Sequence, residues 1–109
     1  TARSFGSMIR DYEYIEQAVA SHCAACAVKL RKQASFASSM IVFVHTNYFR
    51  KDLPQYKRNI VVKFPATQNT IVLIKHAKKA LQKIYRPGYN YKKAGVILMD
   101  FQQSRALQE

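Results

Sequence analysis

Glycine, proline and tryptophan are scarce in this chain, whose 109 residues include three glycines, three prolines and no tryptophan. The glycines, Gly6, Gly88 and Gly95, are too few and too dispersed for a loop that cradles phosphate. Apolar residues nowhere run long enough to span a bilayer, and no signal peptide opens the chain. The sequence therefore argues against membrane-spanning proteins and glycine-loop nucleotide enzymes. Because the chain starts at Thr1 without an initiator methionine, we expect a fragment of a longer protein.

Cysteine is scarce as well, since Cys23 and Cys26 are the only two. Two thiols make no disulfide framework, which agrees with a reducing, cytoplasmic setting. A redox C-x-x-C motif needs its first thiol at a helix N-terminus, but both cysteines fall in the middle of a predicted helix. A zinc site needs four ligands, and only His22 is close in sequence. We therefore predict that both thiols are packing residues.

Acidic residues number 6 against 18 lysines and arginines, which gives a net charge of +12. From Arg50 to Lys93 there are twelve basic residues and one acid, Asp52. Such an excess indicates a polyanionic partner, nucleic acid first and an anionic membrane surface second. A merely soluble basic surface is the alternative, but charge concentrated in one half of the chain is harder to explain by solubility alone.

No catalytic or metal centre is predicted. Asp11, Glu13 and Glu16 fall in the first turns of one predicted helix, where they compensate the helix dipole. A two-metal site instead needs carboxylates that converge from separate strands. The three histidines, His22, His45 and His76, have no triad spacing and are interpreted as core-filling or solvated side chains. We expect no enzyme activity and no cofactor in this chain.

Periodicity predicts six elements in one α+β domain over residues 1–109. Strands are predicted over residues 2–9, 40–46, 59–64 and 91–101, and helices over 11–33 and from a cap at Thr67 or Asn69 to about Tyr85. Pro65 is expected to end the third strand, Gly95 to mark a bulge or a point of close approach in the last, and residues 102–109 to be a flexible tail. The second helix takes its predicted core face from Ile71, Ile74, Ala77, Leu81 and Ile84.

The order β-α-β-β-α-β predicts a four-stranded, mainly antiparallel sheet with two helices on one face. The other face is left free to bind a ligand and carries Lys63. RNA-recognition modules share this element order, but they use a Lys/Arg-Gly-aromatic signature on a central strand. The predicted third strand, which contains Lys63, lacks that glycine and its first aromatic. Basic and hydroxyl side chains suit phosphate better than base edges.

Several segments together resemble one family, the UmuC-like Y-family translesion DNA polymerases, in the C-terminal domain known as the little finger. The resemblance covers nearly the whole chain, in the family's order. It lies in Arg3-Ser4-Phe5-Gly6, Ala27-Val28-Lys29-Leu30-Arg31, Val42-Phe43-Val44-His45-Thr46-Asn47 with Phe49, Pro65-Ala66-Thr67-Gln68-Asn69-Thr70, Tyr91-Lys92-Lys93-Ala94-Gly95-Val96 and Asp100-Phe101.

This resemblance implies a domain that lies in the major groove of primer–template DNA and grips the sugar-phosphate backbone with its first and last strands. Carried over residue by residue, it makes Arg3, Ser4, Phe5 and Ser7 candidates for phosphate contact, with Arg10 in support. The remaining sheet surface would be lined by Thr46, Lys63, Tyr91, Lys92 and Lys93, although edge packing is an open alternative for Tyr91.

The resemblance further implies a parent DNA polymerase that uses Mg²⁺, acts in the cytoplasm at the nucleoid during the SOS response, and binds a sliding clamp and a UmuD-like subunit. Family members usually continue into a Gln-Leu-x-Leu-Phe-like clamp-binding segment. The end of this chain, Ser104-Arg105-Ala106-Leu107-Gln108-Glu109, departs from that pattern. Two other functions remain open: an independent RNA-binding module, and a domain that binds an acidic protein partner through its lysine-rich helix.

Overall fold

Two helices pack on one side of an antiparallel sheet, which confirms the predicted α+β class. The computed structural model describes residues 2–9 by their backbone, and residues 11–46, 52 and 54–102 with their side chains. The elements follow the order β1 (Ala2–Ile9), α1 (Tyr12–Lys32), β2 (Phe36–Thr46), β3 (Lys57–Thr67), α2 (Thr70–Ile84) and β4 (Tyr91–Gln102).

The strand β2 forms the centre of the sheet, because it pairs antiparallel with both β3 and β4. On the other side of β4, the strand β1 pairs through Arg3 with Ala94 and through Ser4 with Lys93. The spatial order is β1-β4-β2-β3, so β3 lies at an edge. The consecutive strands β2 and β3 are neighbours in the sheet, whereas β1 pairs with β4, which brings the end of the domain next to its beginning.

Both helices begin at the residues that the sequence marks as caps. The Asp11 carboxylate accepts a hydrogen bond from the Glu13 N–H at 2.9 Å, and the Asn69 side chain accepts one from the Val72 N–H at 3.1 Å. These bonds satisfy N–H groups that have no partner within the helix. Asn69 is thus the cap of α2, rather than the alternative Thr67.

The core lies between the helices and one face of the sheet. The sheet contributes the alternate β2 residues Met40, Val42 and Val44, and each helix contributes one buried stripe. These stripes are Ile15, Val19, Cys23, Ala27 and Leu30 on α1, and Leu73, Ala77, Ala80, Leu81 and Ile84 on α2. The predicted stripe of α2 is largely confirmed, since Ala77, Leu81 and Ile84 are buried and Ile74 packs against the core. Ile71 is the exception: it is 77% exposed, and Leu73 is buried instead.

The prediction that Pro65 ends the third strand is wrong, since β3 continues to Thr67. Proline removes a donor from the strand ladder, and it is tolerated at sheet edges and bulges. Both conditions hold here: β3 is an edge strand, and the β2–β3 register shifts between the pairs Ser39–Lys63 and Ala37–Thr67.

A bulge in β4 lies at Lys92 and not at Gly95, for which a bulge was one of the two alternatives. His45 pairs with Lys93, but the next β2 residue, Thr46, pairs with Tyr91, so Lys92 is the extra residue. Gly95 stays in register between Phe43 of β2 and Ala2 of β1. The bulge therefore falls inside the segment for which DNA contact is predicted.

Candidate nucleic-acid interface

The sheet face turned away from the helices, here called the open face, carries side chains that the core does not use. Residues paired across antiparallel strands share a face, and alternate residues point to opposite faces. The β2 residues of the open face are therefore Ile41, Phe43 and His45. Their neighbours there are Lys57, Asn59, Val61 and Lys63 on β3 and Lys93, Gly95, Ile97 and Met99 on β4. Apolar side chains such as Val61, 52% exposed, occupy the middle of this face.

Three basic side chains cross one end of the open face in a line, here called the basic row. It consists of Lys57, His45 and Lys93, because His45 of β2 pairs with Lys57 of β3 and with Lys93 of β4. Beyond Lys93, the line reaches the backbone of Ser4 on β1. The basic row therefore joins the first and last strands to the centre of the sheet.

His45 is the titratable member of the basic row. Burial, followed by the charges of Lys93 and Lys57, lowers the pKa of His45 below its ordinary value of 6.5, while a hydrogen bond with the Thr46 backbone raises it. The ring stacks on Phe43 with centroids 5.8 Å apart and an angle of 15° between the planes. His45 is thus held in place by a ring on its own strand and flanked by cations on both neighbouring strands.

The predicted contact residues fall into three groups. Lys63 and Lys93 lie on the open face, and Lys92 lies in the adjoining bulge. Arg3, Ser4, Phe5 and Ser7 lie in β1, where Ser4 pairs with Lys93. Arg10 lies outside the described residues. The remaining two candidates, Thr46 and Tyr91, pair with each other on the side of the helices.

Thr46 does not line the open face, and that expectation is wrong. Its position alternates with His45, so its side chain points toward the helices and is 5% exposed. The Thr46 hydroxyl accepts a hydrogen bond from the Tyr56 N–H at 3.0 Å, and the Thr46 N–H donates to the Tyr56 carbonyl at 2.9 Å. Thr46 holds the start of β3 against the end of β2.

Tyr91 also lies inside the domain, since none of its surface is exposed. This agrees with the alternative that Tyr91 packs at the edge of the sheet. Its hydroxyl donates to the Arg86 carbonyl at 2.6 Å and accepts from the Arg86 N–H at 2.9 Å. Burial raises the pKa of Tyr91 to about 12, so the hydroxyl keeps its proton at neutral pH. Tyr91 ties β4 to the segment that follows α2 and has no surface to offer a ligand.

The lysine-rich surface of α2 is separate from the open face. Lys75, Lys79 and Lys83 are exposed on this helix, whose opposite side packs into the core. The domain therefore presents one basic surface on the sheet and another on the helices. Only the first is continuous with the strands β1 and β4.

Residues 11–46, 52 and 54–102 contain no group of three histidine, cysteine or acidic side chains that could hold a metal ion. Neither described helix is long and apolar enough to cross a membrane. The acidic residues that begin α1 have local roles, since Asp11 caps the helix and the Glu16 carboxylate accepts a hydrogen bond from the Tyr12 hydroxyl at 3.1 Å.

The two thiols should differ in reactivity. Cys23 is fully buried, and burial raises its pKa to about 12, whereas Cys26 is half-buried beside a cavity. Because the thiolate is the reactive form, we expect a disulfide reagent at neutral pH to label one thiol in the folded domain and two in denaturant. Cys26→Ala should abolish labelling of the folded domain. Fast labelling of that variant would contradict the burial of Cys23.

Comparison with known proteins decides the family. The impB/mucB/samB family C-terminal domain matches residues 1–109. The chain belongs to this family. Protein UmuC of Salmonella typhimurium is 41% identical over 101 residues, which make up 92% of this chain and 24% of that protein. Protein ImpB of Salmonella typhimurium is 38% identical over 104 residues, 94% of this chain and 24% of that protein.

Protein SamB of Salmonella typhimurium is 39% identical over 101 residues, 92% of this chain and 24% of that protein. The chain thus spans about a quarter of the length of these relatives. The resemblance drawn from the sequence is confirmed: this is the C-terminal domain of the UmuC-like Y-family polymerases.

Sequence reasoning missed His45 and Lys57 as candidates in this family domain. His45 was interpreted as a core or solvated residue, and Lys57 as part of a connecting segment. Alternation along β2 does place His45 opposite the buried Val44, so its face could have been found. The pairing with Lys57 could not, because the segment between β2 and β3 is too long to fix the register.

Proposed function

We propose that this domain is the little finger of a UmuC-like Y-family polymerase and that it holds primer–template DNA by its phosphate backbone. The basic row is the observation that carries the proposal. Lysines that cross the sheet at one end suit phosphates, and phosphate contacts position a protein on a duplex without reading its sequence. Such a grip would tolerate distorted templates during translesion synthesis.

The relatives' greater length extends the proposal to the parent protein. We infer a DNA-directed DNA polymerase whose Mg²⁺-dependent active site lies outside this domain, acting in the SOS response in the cytoplasm, at the nucleoid. The sliding clamp and a UmuD-like subunit remain proposed partners of that protein. In this proposal, the present domain binds DNA, and the catalytic groups lie in the other domains of the polymerase.

The position of β3 argues against an RNA-recognition module. Such modules stack bases on aromatic side chains of central strands. Here β3 is an edge strand, and its open-face residues are Lys57, Asn59, Val61 and Lys63. The ring of Phe43 on β2 is stacked against His45. Duplex DNA is therefore the better-supported ligand.

The first experiment titrates the domain into labelled primer–template DNA and into single-stranded RNA, with fluorescence anisotropy at low and moderate salt. We expect micromolar, salt-sensitive binding that favours the DNA. Tighter binding to RNA would favour the RNA-binding module. Negligible binding to either nucleic acid, with an acidic protein retained by the domain, would favour the protein-interaction function.

Salt dependence measures how many phosphates the domain contacts. With about five phosphates neutralised, the slope of log K against log salt should be roughly −4 to −5. Lys92→Ala combined with Lys93→Ala should flatten that slope by about two units, because each lost phosphate contact removes about one released counterion. Lys78→Ala combined with Lys83→Ala, on α2, is the control and should leave the slope unchanged. A double variant at 92 and 93 with the wild-type slope would remove these lysines from the footprint.

A further inference from the structure

The basic row is unfavourable when His45 is protonated. Like charges directly opposite on adjacent strands are destabilising, and His45 has a lysine directly opposite on each side, Lys57 and Lys93. Neighbouring strands lie about 4.8 Å apart, so the two lysine positions are about 10 Å from each other across the sheet. Positive charge crowded in this way suits an anion that several side chains contact together.

His45 lies at the centre of the basic row, and its side chain can lose its proton, and with it its charge, near neutral pH. His45 is flanked by Lys93 on β4 and Lys57 on β3, and on β2 by the uncharged ring of Phe43. No carboxylate of the described residues is among the groups that shift the pKa of His45. A neutral imidazole between two lysines limits the repulsion while no ligand is bound.

A depression of about 150 Å³ adjoins the row, lined by His45, Thr46, Gln55, Tyr56 and Lys57. Its wall combines the imidazole, an ammonium group and the Gln55 amide, and all three can donate hydrogen bonds to an anion. The Thr46 hydroxyl and backbone are already bonded to Tyr56, so the rim is held in place by the β2–β3 pairing. The part of the row around His45 and Lys57 is thus shaped by the fold before any ligand arrives, and Lys93 lies outside this depression.

We propose that His45, Lys57 and Lys93 form a phosphate site for duplex DNA, and that His45 takes up a proton when the phosphate binds. This proposal rests on the proposed function and deepens it, because it names the residues and makes the grip depend on pH. The phosphate oxygen accepts a hydrogen bond from the ring and offsets the charge of both lysines. The proton comes from the solvent, so binding is accompanied by its uptake.

The sign of the pH dependence follows from the direction of these effects. In the free domain, burial and the lysines lower the pKa of His45 below 6.5. His45 therefore binds a proton less readily in the free folded domain than in the unfolded chain. As pH falls below about 6.5, this difference reduces the stability of the fold. A bound phosphate raises the pKa of His45, so affinity for DNA increases as pH falls through the same range.

The test measures DNA affinity by anisotropy at about pH 8 and about pH 5.5. A rise of one unit in the pKa of His45 corresponds to a tenfold change in binding, so we expect wild-type affinity to increase about tenfold. His45→Gln should lose most of this gain between the two pH values, because a glutamine side chain does not titrate. His76→Gln is the control: burial and two lysines also lower the pKa of His76, which lies on α2 and stacks on Phe64 of β3. It should keep the full gain.

An NMR titration of the histidine ring protons, with and without DNA, provides a second readout. We expect DNA to raise the pKa of His45 and to leave the pKa of His76 unchanged. If wild type binds DNA but His45→Gln retains the tenfold gain, or the pKa of His45 does not move, the phosphate site is overturned and the proposed function stands. Absence of salt-sensitive DNA binding at either pH overturns both.

Discussion

Replacement of Tyr91 by alanine should destabilise the domain by about 3–5 kcal/mol, the range observed when a buried aromatic is truncated. Tyr91 is fully buried, and its ring lies within 5.4 Å of the Tyr85 ring and within 6.3 Å of the Tyr56 ring, between centroids. Removal of the ring leaves a cavity at the point where α2 ends and β4 begins. In a domain of 109 residues, this loss is a large part of the whole free energy of unfolding.

The hydroxyl of Tyr91 contributes separately from the ring. It is bonded to the carbonyl and the N–H of Arg86, so Tyr91→Phe leaves both backbone groups without that partner. A buried polar group without a partner costs about 1–3 kcal/mol. Tyr56 makes a related bond, donating from its hydroxyl to the Ile84 carbonyl at 2.6 Å. Tyr56, just before β3, thus binds the carbonyl of the last residue of α2, and Tyr91 of β4 binds that of Arg86, two residues further on.

Urea unfolding followed by circular dichroism measures both variants. Tyr14→Phe is the matched control. Tyr14 is 52% exposed, and surface substitutions usually change little, so we expect its free energy of unfolding to change by less than about 0.5 kcal/mol. The expected order of stability is wild type, Tyr14→Phe, Tyr91→Phe and Tyr91→Ala. If Tyr91→Phe unfolded no more easily than Tyr14→Phe, the hydroxyl would have no structural role.

The sequence predicted the ends of the helices better than it predicted their packing. Helix boundaries follow from local chemistry, since a cap needs only the residues of the next turn. The sequence therefore predicted the Asp11 cap and offered Asn69 as one of two candidates for α2. The core face of α2 was predicted less well, because a helix so rich in apolar residues offers more than one stripe. Tertiary packing decided between Ile71 and Leu73.

Register is the part that the sequence could not supply. The family resemblance placed Tyr91 among surface residues, where alternation with Lys93 would also put it, yet the extra residue at Lys92 turns Tyr91 to the side of the helices, opposite Thr46. A shift of one residue reverses which face a side chain occupies. The same register places His45 between Lys57 and Lys93, and these three residues lie on three different strands. No local pattern predicts such a contact.

Charge reversal on the open face should reduce DNA affinity at least about a hundredfold. Lys57→Glu combined with Lys93→Glu would place two carboxylates where the proposal places phosphate, and like charges brought together at an interface cost several kcal/mol. His45 would then lie between two acids, so repulsion within the row is relieved rather than increased. We therefore expect the variant to fold, which circular dichroism checks before any binding is measured.

The matched control is Lys75→Glu combined with Lys79→Glu on α2. Both double variants lower the net charge from +12 to +8, so they differ only in position. The α2 lysines lie beyond the helix layer, and charges more than about 8 Å apart are largely screened at physiological salt. We expect the control to lose less than about tenfold in affinity. The difference between the variants isolates the open face from the overall charge of the domain.

Three outcomes separate the possible interfaces. A large loss confined to the 57 and 93 variant supports a DNA grip by the sheet. Equal losses in both variants would mean that net charge alone attracts DNA, which contradicts a site on the open face. A larger loss in the 75 and 79 variant would place the interface on α2. The lysine-rich helix would then replace the sheet as the functional surface, and the basic row would be left with an unfavourable charge that no ligand relieves.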